Sequence, residues 1–286
     1  MLAFKRLPWR SVRAPAVMPK PDLVALTGGY RRIPVLQIDN HVYCDTWLIA
    51  RVLEAQAPTP TLYPTPIAQS IAEWADSALF DATIHVAMRP TRLDDLVRWL
   101  TPDEMNKFVD DRRAMGEGAR RVPPPGKVAK AQLAIYLARL DEALAGSRFV
   151  AGDVASIADF SAYHCAWFVT CLAPEVTAPY VNLRAWMARI AALEDAAVTP
   201  MSAEEALQVC RDASPQWQAS GAFVDPSGLS QEQRVVVRPL DYGRDPVEGA
   251  LVASSVDRVT LRREDPRAGV VFVHFPRLGY EIQPVR

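Results

Sequence analysis

Cysteine and histidine are scarce in this chain, with four of each among 286 residues. Cys44, Cys165, Cys171 and Cys210 show neither C-x-x-C spacing nor a regular framework, so a disulfide-stapled fold is excluded and reduced thiols are expected. His41, His85, His164 and His274 form no pair at ligand spacing, and no metal site is expected. An excess of one charge is also missing: 32 Lys and Arg stand against 33 Asp and Glu, which leaves no bulk field to attract nucleic acid or anionic lipid. Long apolar runs are absent, and Lys5, Arg6, Pro8, Trp9 and Arg10 are followed by no apolar block of the secretory kind. A cytoplasmic protein without membrane contact is the expectation. Half the residues are hydrophobic, which is enough for ordinary cores, and the length accommodates two domains and a small appendage.

Gly28 to Glu54 is the most informative stretch. It reads as a hairpin, Arg32 to Ile38 and His41 to Tyr43, closed by Asp39-Asn40. A helix follows at once from Asp45-Thr46, with Leu48, Ile49, Val52 and Leu53 on one face. Pro34 at the mouth of the first strand removes a ladder donor and is a position where a cis bond can occur. Before it, Trp9 to Val12 reads as a strand and Asp22 to Leu26 as a short helix. A proline-rich linker, Ala57 to Pro66, separates this region from helices that begin with Ile71, Trp74, Ala75, Ala78 and Leu79 on one face. Arg89 to Arg121 is charged in both signs and contains Gly116-Glu117-Gly118. After Pro123-Pro124-Pro125 comes a helix marked by Leu133, Tyr136, Leu137, Leu140 and Leu144. Ser156 and Asp159 then form an S-x-x-D capping box before an aromatic-rich helix, and this pair is assigned to folding. Leu183 to Ile190 and Ala203 to Cys210 are the last helices. Beyond a connector at Ser214 to Leu229, five β-like runs follow: Arg234 to Arg238, Gly249 to Ser254, Val259 to Arg263, Val270 to Phe275 and Tyr280 to Val285. They suggest a small SH3-like barrel. Arg262, Arg263, Arg267 and Arg277 lie near Phe275 and Tyr280, but acidic neighbours offset them and nucleic-acid binding is disfavoured.

From the strand proline through the Asp-Thr pair, and again at the S-x-x-D box, the chain resembles glutathione transferases. The resemblance covers Met1 to about Cys210 and implies an α/β thioredoxin-like domain at 1–57 and an all-α domain at 67–212, with the β module at 230–286 as an addition. It implies that the backbone of Ile33, before Pro34, pairs with the cysteinyl part of glutathione and that Asp45 and Thr46 hold the γ-glutamyl end. The chemistry agrees: a helix N-terminus offers N–H groups to a carboxylate and a neighbouring acid can meet an ammonium. Lys20, Arg31 and Arg32 are candidates for the glycyl carboxylate. The implied reaction transfers the thiolate of glutathione, the co-substrate, to a small hydrophobic electrophile held in an apolar cleft, by a homodimer.

The family begins with a strand, a loop carrying the thiol-activating residue and a full helix, whereas Met1 to Lys5 resembles only the last turns of that helix. Either Met1 is an internal methionine, which is the expectation, or the protein lacks these parts; no catalytic residue is named, and Ser11 lies within a strand. The alternative reading is a non-catalytic binding or scaffolding protein of the same fold. A thiol–disulfide reductase is a third, for which Cys44 is the nearest cysteine, although its place before the helix suits a packed small residue.

Overall fold

The computed structural model describes residues 1–87, 101–119, 124–193, 197–217, 219 and 221–285. In chain order its first elements are β1 (Trp9–Val12), α1 (Pro21–Thr27), β2 (Val35–Ile38), β3 (His41–Cys44) and α2 (Thr46–Gln56). Next come α3 (Pro66–Trp74), a π-helical turn (Ala75–Leu79), α4 (Phe80–Ala87), α5 (Pro102–Gly116), α6 (Gly126–Gly146), α7 (Ile157–Leu172), α8 (Pro174–Thr177) and α9 (Val181–Ala191). The chain then forms β4 (Val198–Met201), α10 (Ala203–Asp212), β5 (Arg234–Pro239), β6 (Val247–Ser254), β7 (Arg258–Asp265), β8 (Gly269–Pro276) and β9 (Tyr280–Pro284). Two compact units result, one from Met1–Trp9, Leu53–Met105 and Val122–Ala197, the other from Arg10–Val52, Asn106–Arg121 and Val198–Arg286. The fold is thus a thioredoxin-like α/β region and a helical domain, with an added strand-rich module. No described helix is long and apolar enough to cross a membrane.

In the second unit the strands run β2-β3-β8-β7-β6-β5-β9 in one sheet. The hairpin is antiparallel and pairs Ile38 with His41, while β3 and β8 are parallel, with His41, Val42 and Tyr43 opposite Phe272, Val273 and His274. Every other pairing is antiparallel, with a bulge in β6 between Leu251 and Ala253. The C-terminal strands therefore extend the hairpin's own sheet. Strand β8 lies inside that sheet, flanked on both sides, and its run Val270 to Phe275 is apolar but for His274, as an interior strand requires. Asn40, 3 % exposed, holds the joint: its amide donates to the carbonyls of Ser214 (2.9 Å) and Val270 (3.1 Å), and its own carbonyl accepts from the N–H of Phe272. Ala25 and Leu26 of α1, and Leu207 and Cys210 of α10, share one buried cluster with Val42, Val237, Leu261, Val273 and Phe275.

Two histidines meet across the parallel joint. The Nδ1 of His41 lies 2.9 Å from the Nε2 of His274, whose Nδ1 is 2.9 Å from the Thr260 hydroxyl. The Tyr43 ring stacks on His274 with centroids 4.3 Å apart, and Trp217 meets His41 edge-on. Burial, the His41 ring and Arg258 push His274 well below its ordinary value near 6.5; burial also lowers His41, against the pull of Asp39.

The helical unit is built around α6, α7 and α9, with Leu133, Leu137, Leu140, Leu144, Cys165, Val169, Leu183 and Trp186 buried together. At the start of α7 the fully buried Asp159 takes four donors. Its Oδ2 accepts from the Ser156 N–H (2.9 Å) and hydroxyl (3.0 Å), and its Oδ1 from the Val150 N–H (2.8 Å) and the Trp186 indole (2.9 Å). One carboxylate thereby ties a helix start to the preceding loop and to α9. Nor is the proline-rich stretch a free tether. Leu62 is fully buried, its N–H donates to Glu54 and its carbonyl accepts from Ile157, while the Lys5 ammonium donates to the carbonyls of Ala57 and Pro60 and pairs with Glu54.

Some sequence expectations are corrected. The first hairpin strand begins at Val35 rather than Arg32, because Pro34 offers no N–H and the Arg32 side chain is engaged elsewhere. Met1 to Leu7 forms hydrogen-bonded turns that close at Arg6 in a left-handed conformation. Helix α5 and strand β4 had no clear signature. Among the described residues of α5 only Phe108 is buried, and β4 carries Pro200 with no alternation. Part of the charged block, residues 89–100 and 120–121, lies outside the described residues.

Two outcomes follow from this architecture. Asp159→Ala strands four buried donors and is expected to cost about 3–5 kcal/mol in urea unfolding, whereas Ser156→Ala costs about 1 kcal/mol. For His274 the unfolded chain takes up a proton near pH 6.5 and the folded chain resists. Stability is therefore full above that pH and falls on acidification, by up to about 1.4 kcal/mol per pH unit for each such histidine. The urea midpoint should drop between pH 7.5 and 5.5, and the drop should shrink in His274→Gln.

Candidate functional site

The site is assembled where β3 ends and α2 begins. Asp45 has φ +77°, a left-handed conformation uncommon outside glycine, and such positions concentrate at ligand sites. Its backbone carbonyl accepts from the Ile49 N–H and its Oδ1 from the Trp47 N–H at 2.9 Å, so Asp45 is the helix N-cap and Thr46 the exposed first helical residue. The second oxygen, Oδ2, accepts from the Tyr280 hydroxyl at 3.0 Å. Tyr280 lies 3.2 Å from the hydroxyl of buried Tyr30, and both rings pack against Phe275. Burial and the Asp45 charge push both phenols well above the ordinary range, so both are neutral.

The Ile33–Pro34 bond is cis, and Ile33 is exposed immediately before β2. Of the three basic candidates, Arg31 pairs with Asp111 of α5, and Lys20 donates to the Arg31 carbonyl at 3.2 Å. Arg32 pairs with Asp241, donates to the carbonyl of Tyr242 and lies 3.9 Å over its ring. All three are thus committed within the fold, and burial together with the neighbouring Arg112 lowers Lys20. The β5–β6 loop also presses on Gly29, where an added Cβ would come within 3.0 Å of the Pro246 carbonyl.

Cys44 is fully buried, and burial and Asp45 push its thiol well up, which makes it a packed side chain. The four arginines singled out in the β module each meet an acid: Arg262 with Glu264, Arg263 with Asp265, Arg267 with Asp22, and Arg277 with Asp225. Among the described residues no group of three or more His, Cys, Asp and Glu could hold a metal ion.

Residues 1–56 match the family model of the glutathione S-transferase N-terminal domain, and residues 124–194 that of the C-terminal domain. The crystal structure of a GST-like protein from Pseudomonas syringae is 34 % identical and matches 99 % of this chain and 92 % of its own, with a TM-score of 0.81. The chain belongs to the glutathione S-transferase family. That match takes in the β module, which the two family models do not reach. A glutathione S-transferase from Rhodospirillum rubrum F11 is 17 % identical over 66 % of this chain and 79 % of its own, with a TM-score of 0.48. A glutathione S-transferase domain-containing protein from Marinobacter aquaeolei VT8 is 24 % identical over 60 % and 78 %, with a TM-score of 0.40. Comparison with curated proteins returns no match.

The helix start at Asp45-Thr46 is legible in the sequence, whereas the contacts that Tyr280, Asp241 and Tyr242 make with this region are not. The last two stand in a turn-like Asp-Tyr-Gly-Arg-Asp-Pro segment, and no local pattern ties them to residues more than 200 positions earlier.

Cys44, Cys165 and Cys210 are buried and Cys171 is exposed. The folded transferase-family chain should therefore release one thiol rapidly to a disulfide reagent and the rest only in denaturant, with the fast phase lost in Cys171→Ser. Rapid reaction at Cys44 would reverse this assignment.

Proposed function

We propose that this chain binds glutathione through Ile33, Pro34, Asp45 and Thr46 and presents its thiolate to a small hydrophobic electrophile, working as a cytoplasmic homodimer. The observation that carries the reading is the start of α2 in a chain of this family. A carboxylate with fixed orientation stands at a helix N-terminus, and the strand that exposed Ile33 precedes pairs Val35 with Cys44, the residue before that carboxylate. Such a start suits an amino-acid-like end of a ligand: first-turn N–H groups attract its carboxylate and Asp45 its ammonium. The peptide groups of Ile33 would meet the cysteinyl portion as an added strand does.

In the transfer, the thiolate donates an electron pair to the electrophilic carbon and a sulfur–carbon bond forms. A displaced leaving group, or a proton taken up by the product, balances the charge. No residue is assigned to thiolate activation. Residues 1–57 are proposed to hold the tripeptide and 67–212 to receive the electrophile, with 230–286 as the additional module. A non-catalytic glutathione-binding or scaffolding protein is the second reading, favoured by one observation: the hydroxyls of Tyr30 and Tyr280 are engaged with each other and with Asp45.

Calorimetric titration tests the binding. The wild-type chain should bind glutathione at micromolar to millimolar concentration, and Asp45→Ala, confirmed as folded, about 10-fold or more weakly. Equal binding by the two proteins, or none by folded wild type, would sink the reading. Turnover of an aromatic halide with glutathione separates the enzyme from the binding protein.

A further inference from the structure

The residue that orients Asp45 comes from the β module, outside both matched family domains. Tyr280 opens β9, pairs with Pro239 of β5 and is 7 % exposed. A phenol has one proton to give, and of its two neighbours the Asp45 carboxylate is the stronger acceptor. Tyr280 therefore donates to Oδ2 of Asp45, with the Tyr30 hydroxyl 3.2 Å from the same phenol oxygen. Tyr30, Tyr280 and Asp45 thus form one hydrogen-bonded cluster. Its rings are held against Phe275, with centroids 5.9 Å from Tyr30 and 5.7 Å from Tyr280, so the donor does not swing.

Asp45 is thus held at both oxygens, by the Trp47 N–H on one side and the Tyr280 hydroxyl on the other. A carboxylate still has lone pairs to offer when each oxygen has accepted one bond. Its direction is set before any ligand arrives, and the ordering cost that usually weakens a salt bridge is already met. The same module grips the segment leading to Ile33, through Asp241 and Tyr242 on Arg32 and the Pro246 carbonyl against Gly29.

We propose that Tyr280 is a positioning residue for ligand recognition, aiming the Asp45 carboxylate at a primary ammonium so that the β module completes the subsite for the γ-glutamyl amino group. This assignment rests on the glutathione reading above. It predicts a specificity effect that a bond serving only stability would not produce, because the loss on removing the phenol hydroxyl depends on whether the ligand carries an ammonium.

The test compares glutathione with its desamino analogue, in which a glutaryl group replaces γ-glutamyl, by calorimetry on wild type and Tyr280→Phe. The expected result is a loss of about 10-fold for glutathione and less than about 2-fold for the analogue in the variant. Equal losses for the two ligands, or no loss for glutathione, overturn the inference and leave the glutathione reading standing. Failure of folded wild type to bind glutathione overturns both. Should Tyr280→Phe not fold, Tyr30→Phe keeps the Tyr280 hydroxyl but frees its direction. A smaller loss of about 3-fold confined to glutathione then supports the assignment, and a loss shared by both ligands or absent from both refutes it.

Discussion

The parallel pairing of β3 with β8 is the constraint on which the second unit depends. A two-stranded hairpin alone is marginal in water, and the outer edge of β3 would present a row of unsatisfied backbone groups. Pairing with β8 satisfies that edge and makes the hairpin the end of a seven-stranded sheet. Register follows from side chains. Val42 and Val273 are opposite each other and enter one core, and a slip of β3 by one residue would turn Val42 outward. Asn40 makes such a slip costlier still, since its amide and carbonyl contact backbone on the far side of the joint. The stacked rings of Tyr43 and His274 occupy the opposite face.

Much of the fold could be read from the chain because its signals are local. Alternation and turn residues marked all five strands of the β module, and leucine spacing marked α6. The Ser156-x-x-Asp159 box stands where α7 begins. The reading failed where a local signal was weak or where partners are distant. Helix α5 buries little and so shows no clear stripe, and β4 contains a proline. Nothing in the periodicity of β8 reveals that one of its neighbours is a strand more than 220 residues earlier in the chain. The site divides in the same way. Asp45 and Thr46 were visible because a helix start is a local event. Tyr280 was visible only as an aromatic residue near arginines, and those arginines proved to be paired with acids.

Asp45 shows how one side chain meets two structural demands at once. Capping α2 uses its Oδ1, and a helix cap alone would leave the other oxygen to solvent. Here that oxygen is tied to a second sheet strand, so the local demand of the helix and the long-range demand of the module converge on one carboxylate. The basic residues nearby illustrate the opposite outcome. Lys20, Arg31 and Arg32 are chemically suited to anions, yet each is already taken up by an internal acceptor.

The hydrogen bond from Tyr280 to Asp45 spans 235 positions, and synthesis proceeds at about 5–20 residues per second. Asp45 therefore emerges from the ribosome roughly 10–50 s before the phenol that orients it. In that interval β3 has no β8, and its edge is available to chaperones or to other nascent chains. Closing so long a loop belongs to the slow, non-local class of folding events. The carboxylate is thus among the first parts of the site to be made and among the last to be set.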